Sequence, residues 1–220
     1  MKSRLIVAGG GIVAPGLIGS IIFLAAGRWD LPLVWAVFGI MAAFYVILAI
    51  VGDSGLLSER LRPGPGSQDR LTRSLGGLFL IAHWVIAGLD VGRFHWSPVP
   101  LSLQIAGVAG FAAALAVNFW AIQANRFYSS VVRVQTDRGQ FAVDTGPYRF
   151  VRHPGYAASL VAMLSGGVAL GSWLAMVPLL LFAVLFLRRT VLEDRMLHSE
   201  LPGYAEYAQR VTSRLIPGVF

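Results

Sequence analysis

The sequence predicts an all-α protein embedded in a lipid bilayer, with four transmembrane helices followed by a C-terminal helical hairpin and cytoplasmic C-terminal helices. Three observations carry this. Of 220 residues, 56% are hydrophobic and only 13% are charged, whereas soluble domains carry roughly 25% charged residues. Apolar runs of about twenty residues recur along the chain, the length that crosses a ~30 Å hydrocarbon core at 1.5 Å per residue. The basic residues fall between those runs with a strong bias to one side.

Leu5 to Ala26, behind Lys2 and Arg4, is the first span. The sequence Leu24-Ala25-Ala26-Gly27 would suit a cleaved signal peptide, but the apolar stretch exceeds the usual 7–15 residues of such a segment. Leu31 to Val51 is the second span, and Asp53 to Arg73 reads as a polar connection whose Arg62-Pro63-Gly64-Pro65-Gly66-Ser67 marks an exposed loop. Leu75 to Val91 and Leu101 to Ile122 are the third and fourth spans. Trp84, Trp96 and Trp120 suit either headgroup level or packing. The run Ala157 to Leu187 is too long for one span of ordinary thickness. A hairpin turning at Gly171-Ser172 keeps both its ends on one side, with Pro178 tolerated where neighbouring helices satisfy the freed backbone groups.

With the N-terminus in the cytoplasm, Lys2 and Arg4, 60, 62, 70, 73, 126, 133, 138, 149, 152, 188, 189, 195, 210 and 214 lie inside, and only Arg28 and Arg93 lie outside, which accounts for all 18 basic residues. This distribution predicts an integral protein of the cell inner membrane with both termini cytoplasmic. It also explains the net charge of +7 without nucleic acid, for which no reading module is visible. The chain divides into residues 1–122, which carry the four transmembrane helices, and residues 123–220, a more polar region that includes the hairpin 157–187. With no Cys, and with His83, His95, His153 and His198 lacking metal-ligand spacing, no metal site is expected. Gly9-Gly10-Gly11 mimics a dinucleotide fingerprint, but the βαβ context that motif requires is absent.

The hairpin brings two polar segments, 123–155 and 188–220, to one face. In the first, Arg152 and His153 precede Pro154, which suits the opening position of a helix whose free N–H groups favour an anion; the competing reading is an interfacial anchor of Arg and Tyr side chains. In the second, Arg189 and Glu193 are four apart, an ordinary i,i+4 pair, while Glu193 and Asp194 directly after a membrane hairpin need cationic or hydroxyl partners. Asn118, Gln123 and Asn125 either line a pocket or bond to neighbouring helices.

Gly146-Pro147-Tyr148-Arg149-x-Val151-Arg152-His153-Pro154-x-Tyr156, then Glu193-Asp194-x-x-Leu197 after an apolar stretch, and a tail Tyr204-x-x-Tyr207-x-x-Arg210-Val211 together resemble the isoprenylcysteine carboxyl methyltransferase family and its prokaryotic relatives, themselves similar to phospholipid methyltransferases. The resemblance covers roughly residues 118–220. It implies an integral membrane methyltransferase using S-adenosylmethionine and a lipophilic small-molecule or prenylated acceptor among membrane lipids, with methyl transfer to a carboxylate. The alternatives are a phospholipid amine or a small thiol as acceptor, or a non-catalytic membrane protein retaining the fold. By the resemblance, His153, Tyr156 and Glu193 bind the cofactor, and Arg152 and Arg189 are the catalytic arginines that position the acceptor. Tyr148, Tyr204 and Tyr207 suit packing on the cofactor's ring or capping its pocket. Asp194 is placed with the cofactor too, although the family commonly has a longer Glu there.

Overall fold

The computed structural model describes residues 2–62 and 69–220, with the side chains of Lys2, Arg70 and Arg73 not described. It is all-helical, and the described residues contain no strand. Among the described residues, four helices are long and apolar enough to cross a membrane: α1 (Lys2–Ala26), α2 (Pro32–Val51), α4 (Arg70–Leu89) and α5 (Leu101–Ala124), with a short helix α3 (Ser54–Leu61) between the second and third. The hairpin consists of α6 (Pro154–Ala169) and α7 (Met176–Glu200), and a last helix α8 (Tyr204–Arg210) follows it.

Local chemistry sets the helix ends. Pro32 and Pro154 stand at helix openings, where a missing N–H removes no bond. Pro15 lies inside α1, the kind of interruption tolerated in a membrane helix when neighbours and local adjustments satisfy the freed carbonyl. Pro178 needs no such help, because α7 begins at Met176 and places it in the first turn. The polar stretch read as a loop from Asp53 is partly helical: Asp53 accepts from the Leu56 N–H at 2.9 Å and caps α3. Leu56 and Leu57 then bury against Leu48 and Ile122. Most of the Pro/Gly loop, residues 63–68, lies outside the described residues.

Two features decide how the hairpin sits. Gly171 takes φ +89 at the turn, a conformation that favours glycine, and its carbonyl accepts from the Val99 N–H at 2.9 Å. The Trp173 N–H in turn donates to the Ser97 carbonyl at 2.9 Å. The turn therefore docks on the α4–α5 connection, and α6 reaches the same end of the bundle as α5. At this far end the buried Asp90 carboxylate accepts from the Ser97 N–H at 3.1 Å and from the hydroxyls of Ser97 and Ser172 at 2.5 Å each, fastening the turn in place. Arg93, one of the two basic residues expected here, caps α1 through Nε to the Ala25 carbonyl at 2.6 Å.

At the opposite end α6 starts short of the end of α5. Asn118 Nδ2 donates to the Gly155 carbonyl at 3.0 Å and to Ser159 Oγ at 2.9 Å, so the first turn of α6 lies beside Asn118, six residues or about 9 Å before Ala124. The segment between the two helices, 125–153, folds over this recess. The tryptophans divide: Trp84 packs on the core formed by α1, α2 and α4, while Trp96 and Trp120 are exposed.

Candidate active site

The site is assembled at the sunken start of α6. The Arg152 and His153 backbone N–H groups donate to the carbonyls of Ser213 and Arg214 at 3.0 and 2.9 Å, so the C-terminal tail lies against the α6 opening. Residues 188–220 and His153 thus share one end of the bundle.

Asp194, on the face of α7 turned to that junction, is 1% exposed. Its carboxylate accepts five hydrogen bonds: Arg152 Nε at 2.8 Å and Nη2 at 3.1 Å, His153 Nε2 at 3.1 Å, Tyr204 Oη at 2.9 Å and Arg214 Nε at 2.7 Å. Burial by itself would raise this carboxyl, but the hydrogen bonds from His153, Arg152 and Arg214 outweigh it and hold the group well below the ordinary carboxylate range. Tyr204 is shifted the other way, by burial first and then by the Asp194 charge, so it remains a neutral hydroxyl donor. Arg152 Nη1 completes the knot by donating to the carbonyls of Val211 and Thr212 at 2.8 and 2.7 Å.

Beside this knot opens a cleft of about 710 Å³, the open solvent at its mouth included. Seven of the nine residues singled out in the sequence line it: Tyr148, Arg152, His153, Tyr156, Glu193, Tyr204 and Tyr207. Glu193 Oε2 accepts from the Tyr156 hydroxyl, and that hydroxyl also accepts from Arg189 Nε at 3.1 Å. The i,i+4 relation of Arg189 and Glu193 is therefore realised through Tyr156 in place of a direct ion pair. Arg189 Nη2 anchors to the Ser130 carbonyl at 2.9 Å. The Tyr207 hydroxyl donates to the Tyr148 carbonyl at 2.7 Å, and Asn125 Nδ2 donates to the Tyr148 hydroxyl at 3.1 Å. Burial pushes Tyr148 and Tyr207 upward as well, so these phenols stay neutral.

Three placements differ from the sequence expectation. Arg189, assigned there to the acceptor, does not line the cleft and is linked to it through the Tyr156 hydroxyl. Arg152, assigned there to the acceptor, has its donors turned into the protein toward Asp194 and the tail carbonyls. Asp194, grouped there with the cofactor contacts, does not line the cleft and serves as the buried counter-ion that holds His153, Arg152 and Tyr204.

The sequence reading passed over most of the second wall. Phe127, Tyr128, Gln135, Gln140 and Phe141 line the cleft from the segment 125–143. Tyr128 packs so tightly on Gly155 that a Cβ there would come within 2.3 Å of its ring. Gln135, 1% exposed, pins the wall by donating from Nε2 to the Phe127 carbonyl at 2.6 Å. Buried Glu59 of α3 ties the same segment down by accepting from Arg133 Nε and Nη2 at 3.0 and 2.9 Å and from Ser129 Oγ at 3.1 Å. A usable signal was present in the density of amides and aromatics just after the fourth span. Of the three amides left open, Asn125 lines the cleft, Asn118 holds the α6 opening, and Gln123 is exposed.

Residues 106–199 match the model of the isoprenylcysteine carboxyl methyltransferase (ICMT) family. Over this stretch the chain is similar to that family. The match runs from α5 to the last turn of α7, and so contains the 125–143 wall, the α6 opening, Arg189, Glu193 and Asp194, while Tyr204, Tyr207 and Arg214 lie beyond it. The ICMT segment supports methyltransferase activity in a membrane protein. Two curated relatives are similar over a longer stretch. The cobalt-zinc-cadmium resistance protein CzcN of Cupriavidus metallidurans is 30% identical over 148 residues, 64% of this chain and 62% of that protein. The nickel-cobalt-cadmium resistance protein NccN of Alcaligenes xylosoxydans xylosoxydans is 26% identical over 144 residues, 64% of this chain and 63% of that protein. The aligned stretch is thus under two thirds of either relative's length.

Proposed function

We propose that this protein transfers the methyl group of S-adenosylmethionine to a lipophilic acceptor, with a carboxylate as the receiving group, at the cytoplasmic face of the cell inner membrane. The observation that carries the reading is the cleft itself, a polar and aromatic recess sunk below the end of α5 and walled largely by residues of the stretch that matches the family. Its donor set suits the cofactor. The carboxylate of Glu193 matches the ribose hydroxyls or the amino group, and the aromatic rings of Phe127, Phe141 and Tyr207 match the adenine. The missing Cβ at Gly155 leaves the space that the Tyr128 ring fills.

Bound S-adenosylmethionine supplies a methyl group activated by its sulfonium. The protein's part is to hold the receiving atom in line with that methyl, where proximity and orientation supply most of the acceleration. An ionised carboxylate needs no base. Arg189, held by the hydroxyl of the cleft-lining Tyr156 and by the Ser130 carbonyl, is the group that would orient it through charge-assisted hydrogen bonds. Arg152 and Asp194 act one step back, fixing His153 at the cleft wall. The sidedness rests on charge: the site end carries the basic segments, whereas Arg28 and Arg93 stand at the far end and each has a local partner, Asp30 for the first and α1 carbonyls for the second.

The names of the two relatives favour an acceptor connected with metal resistance over a prenylated protein. Growth of a deletion strain on cobalt, zinc and cadmium tests that connection. The reaction is tested by calorimetric titration of the purified protein with S-adenosylmethionine, followed by incubation of host membranes with radiolabelled donor. Saturable binding and a base-labile labelled product are expected. Absence of binding would remove the methyltransferase reading in favour of a non-catalytic protein, and a base-stable product would move the acceptor to an amine or thiol.

A further inference from the structure

Arg60 lies in α3, outside the segment shared with the family, and plays no part in the site described above. Its guanidinium carbon stands 5.1 Å from the centroid of the Tyr128 ring, and Tyr128 is a wall of the cleft. Among the described residues its Nη1 is buried with no hydrogen-bond partner. A buried charged donor left so is costly, which makes an orphan of this kind a pointer to a missing anion.

Arg189 repeats the arrangement on the neighbouring wall, 5.8 Å from the centroid of the Tyr156 ring. The two arginines meet at one residue: the Ser130 hydroxyl donates to the Arg60 carbonyl at 3.3 Å, and Arg189 Nη2 donates to the Ser130 carbonyl at 2.9 Å. The walls adjoin, because Tyr128 packs on Gly155, the residue preceding Tyr156. Glu59, its neighbour in the chain, is engaged by Arg133 and Ser129.

We propose that Arg60 and Arg189 form a two-arginine clamp for the anionic head of the lipophilic acceptor, with Arg60 as a specificity-determining residue supplied by the N-terminal helices. The inference rests on the methyltransferase reading for its meaning, but the clamp can be measured without methyl transfer. The Arg60 and Arg189 guanidiniums lie against the rings of two cleft-lining tyrosines, Tyr128 and Tyr156; together they would provide the paired donors that an oxyanion takes, and a carboxylate and a phosphate both fit that description.

The test uses the full chain in neutral nanodiscs with dodecanoate, dodecyl phosphate and uncharged dodecanol as competing probes. Wild type should prefer an anionic probe over dodecanol by tenfold or more. Arg60→Gln should bring that preference near parity, Arg60→Lys should restore part of it, and both should bind S-adenosylmethionine as wild type does. A preference led by dodecyl phosphate would name a phospholipid headgroup as the source of the anion, and one led by dodecanoate a carboxylate acceptor. No anionic preference in wild type, or a full preference retained in Arg60→Gln, overturns the clamp. Loss of S-adenosylmethionine binding in wild type would instead sink the methyltransferase reading and leave the anion measurement to stand separately. If Arg60→Gln does not fold, Arg60→Lys and Arg189→Gln carry the comparison, and an unchanged preference in both counts against the clamp.

Discussion

Asp194→Asn removes one charge and almost no volume, so it isolates what the buried carboxylate contributes. Arg152 has a side chain 5% exposed and would be left without its counter-ion, a loss that typically costs about 3–5 kcal/mol. Arg214 is 34% exposed and can turn to water, so its share is at most about 1 kcal/mol. The expected loss is therefore set by Arg152, about 3–5 kcal/mol, or roughly a hundred- to a few-thousand-fold in the unfolding equilibrium. Reversible chemical unfolding in mixed micelles measures it, with Asp144→Asn as the control. The Asp144–Arg210 pair is exposed, 52% and 62%, and its loss should stay within about 1 kcal/mol. The pH dependence has a definite sign. Because the folded carboxyl is held below its unfolded value, its stabilisation is complete above the ordinary Asp range near 3.9 and is lost as pH falls toward the folded value. The difference between wild type and Asp194→Asn should be flat from pH 8 to about 5 and shrink below about 4. A loss no larger than that of the control, or a difference that grows on acidification, would refute the buried-counter-ion argument.

Three further outcomes are expected. Gly155→Ala places a methyl within 2.3 Å of the Tyr128 ring, so it should cost about 1–3 kcal/mol and weaken S-adenosylmethionine binding, both read by ligand-dependent thermal shifts; wild-type binding would show that the wall yields freely. Arg189→Ala should lower turnover about a hundredfold or more while largely sparing cofactor binding, and Glu193→Ala should do the reverse. Equal loss of binding in both variants, by calorimetry, would defeat that division of roles. Gly171→Ala forces a side chain into φ +89 at the hairpin turn, a strain of about 1–3 kcal/mol, and should speed proteolysis at the far end without altering the cofactor affinity.

The motif residues proved legible because they gather wherever two polar segments are folded together, and the Gly171-Ser172 turn announced that folding. The 125–143 wall was harder to read, since irregular backbone has no periodicity and its order comes from contacts such as Glu59–Arg133 across 74 residues of chain. The α3 helix hid inside a stretch that looked like loop, because eight residues capped by Asp53 carry too short a pattern to stand out.

Apolar run lengths and the spacing of charges determined by themselves that this chain threads a membrane and which end collects its functional groups, because the bilayer leaves helices as the only satisfied backbone for such segments. Sequence also singled out seven of the residues that line the cleft. What each of them faces was decided only by tertiary structure. Asp194 draws Arg152 and His153 inward while Glu193, its neighbour in the chain, lines the cleft. One helical step of about 100° separates the two side chains, and the surroundings that step exposes them to come from α6, α8 and the tail, distant segments whose approach no local pattern encodes.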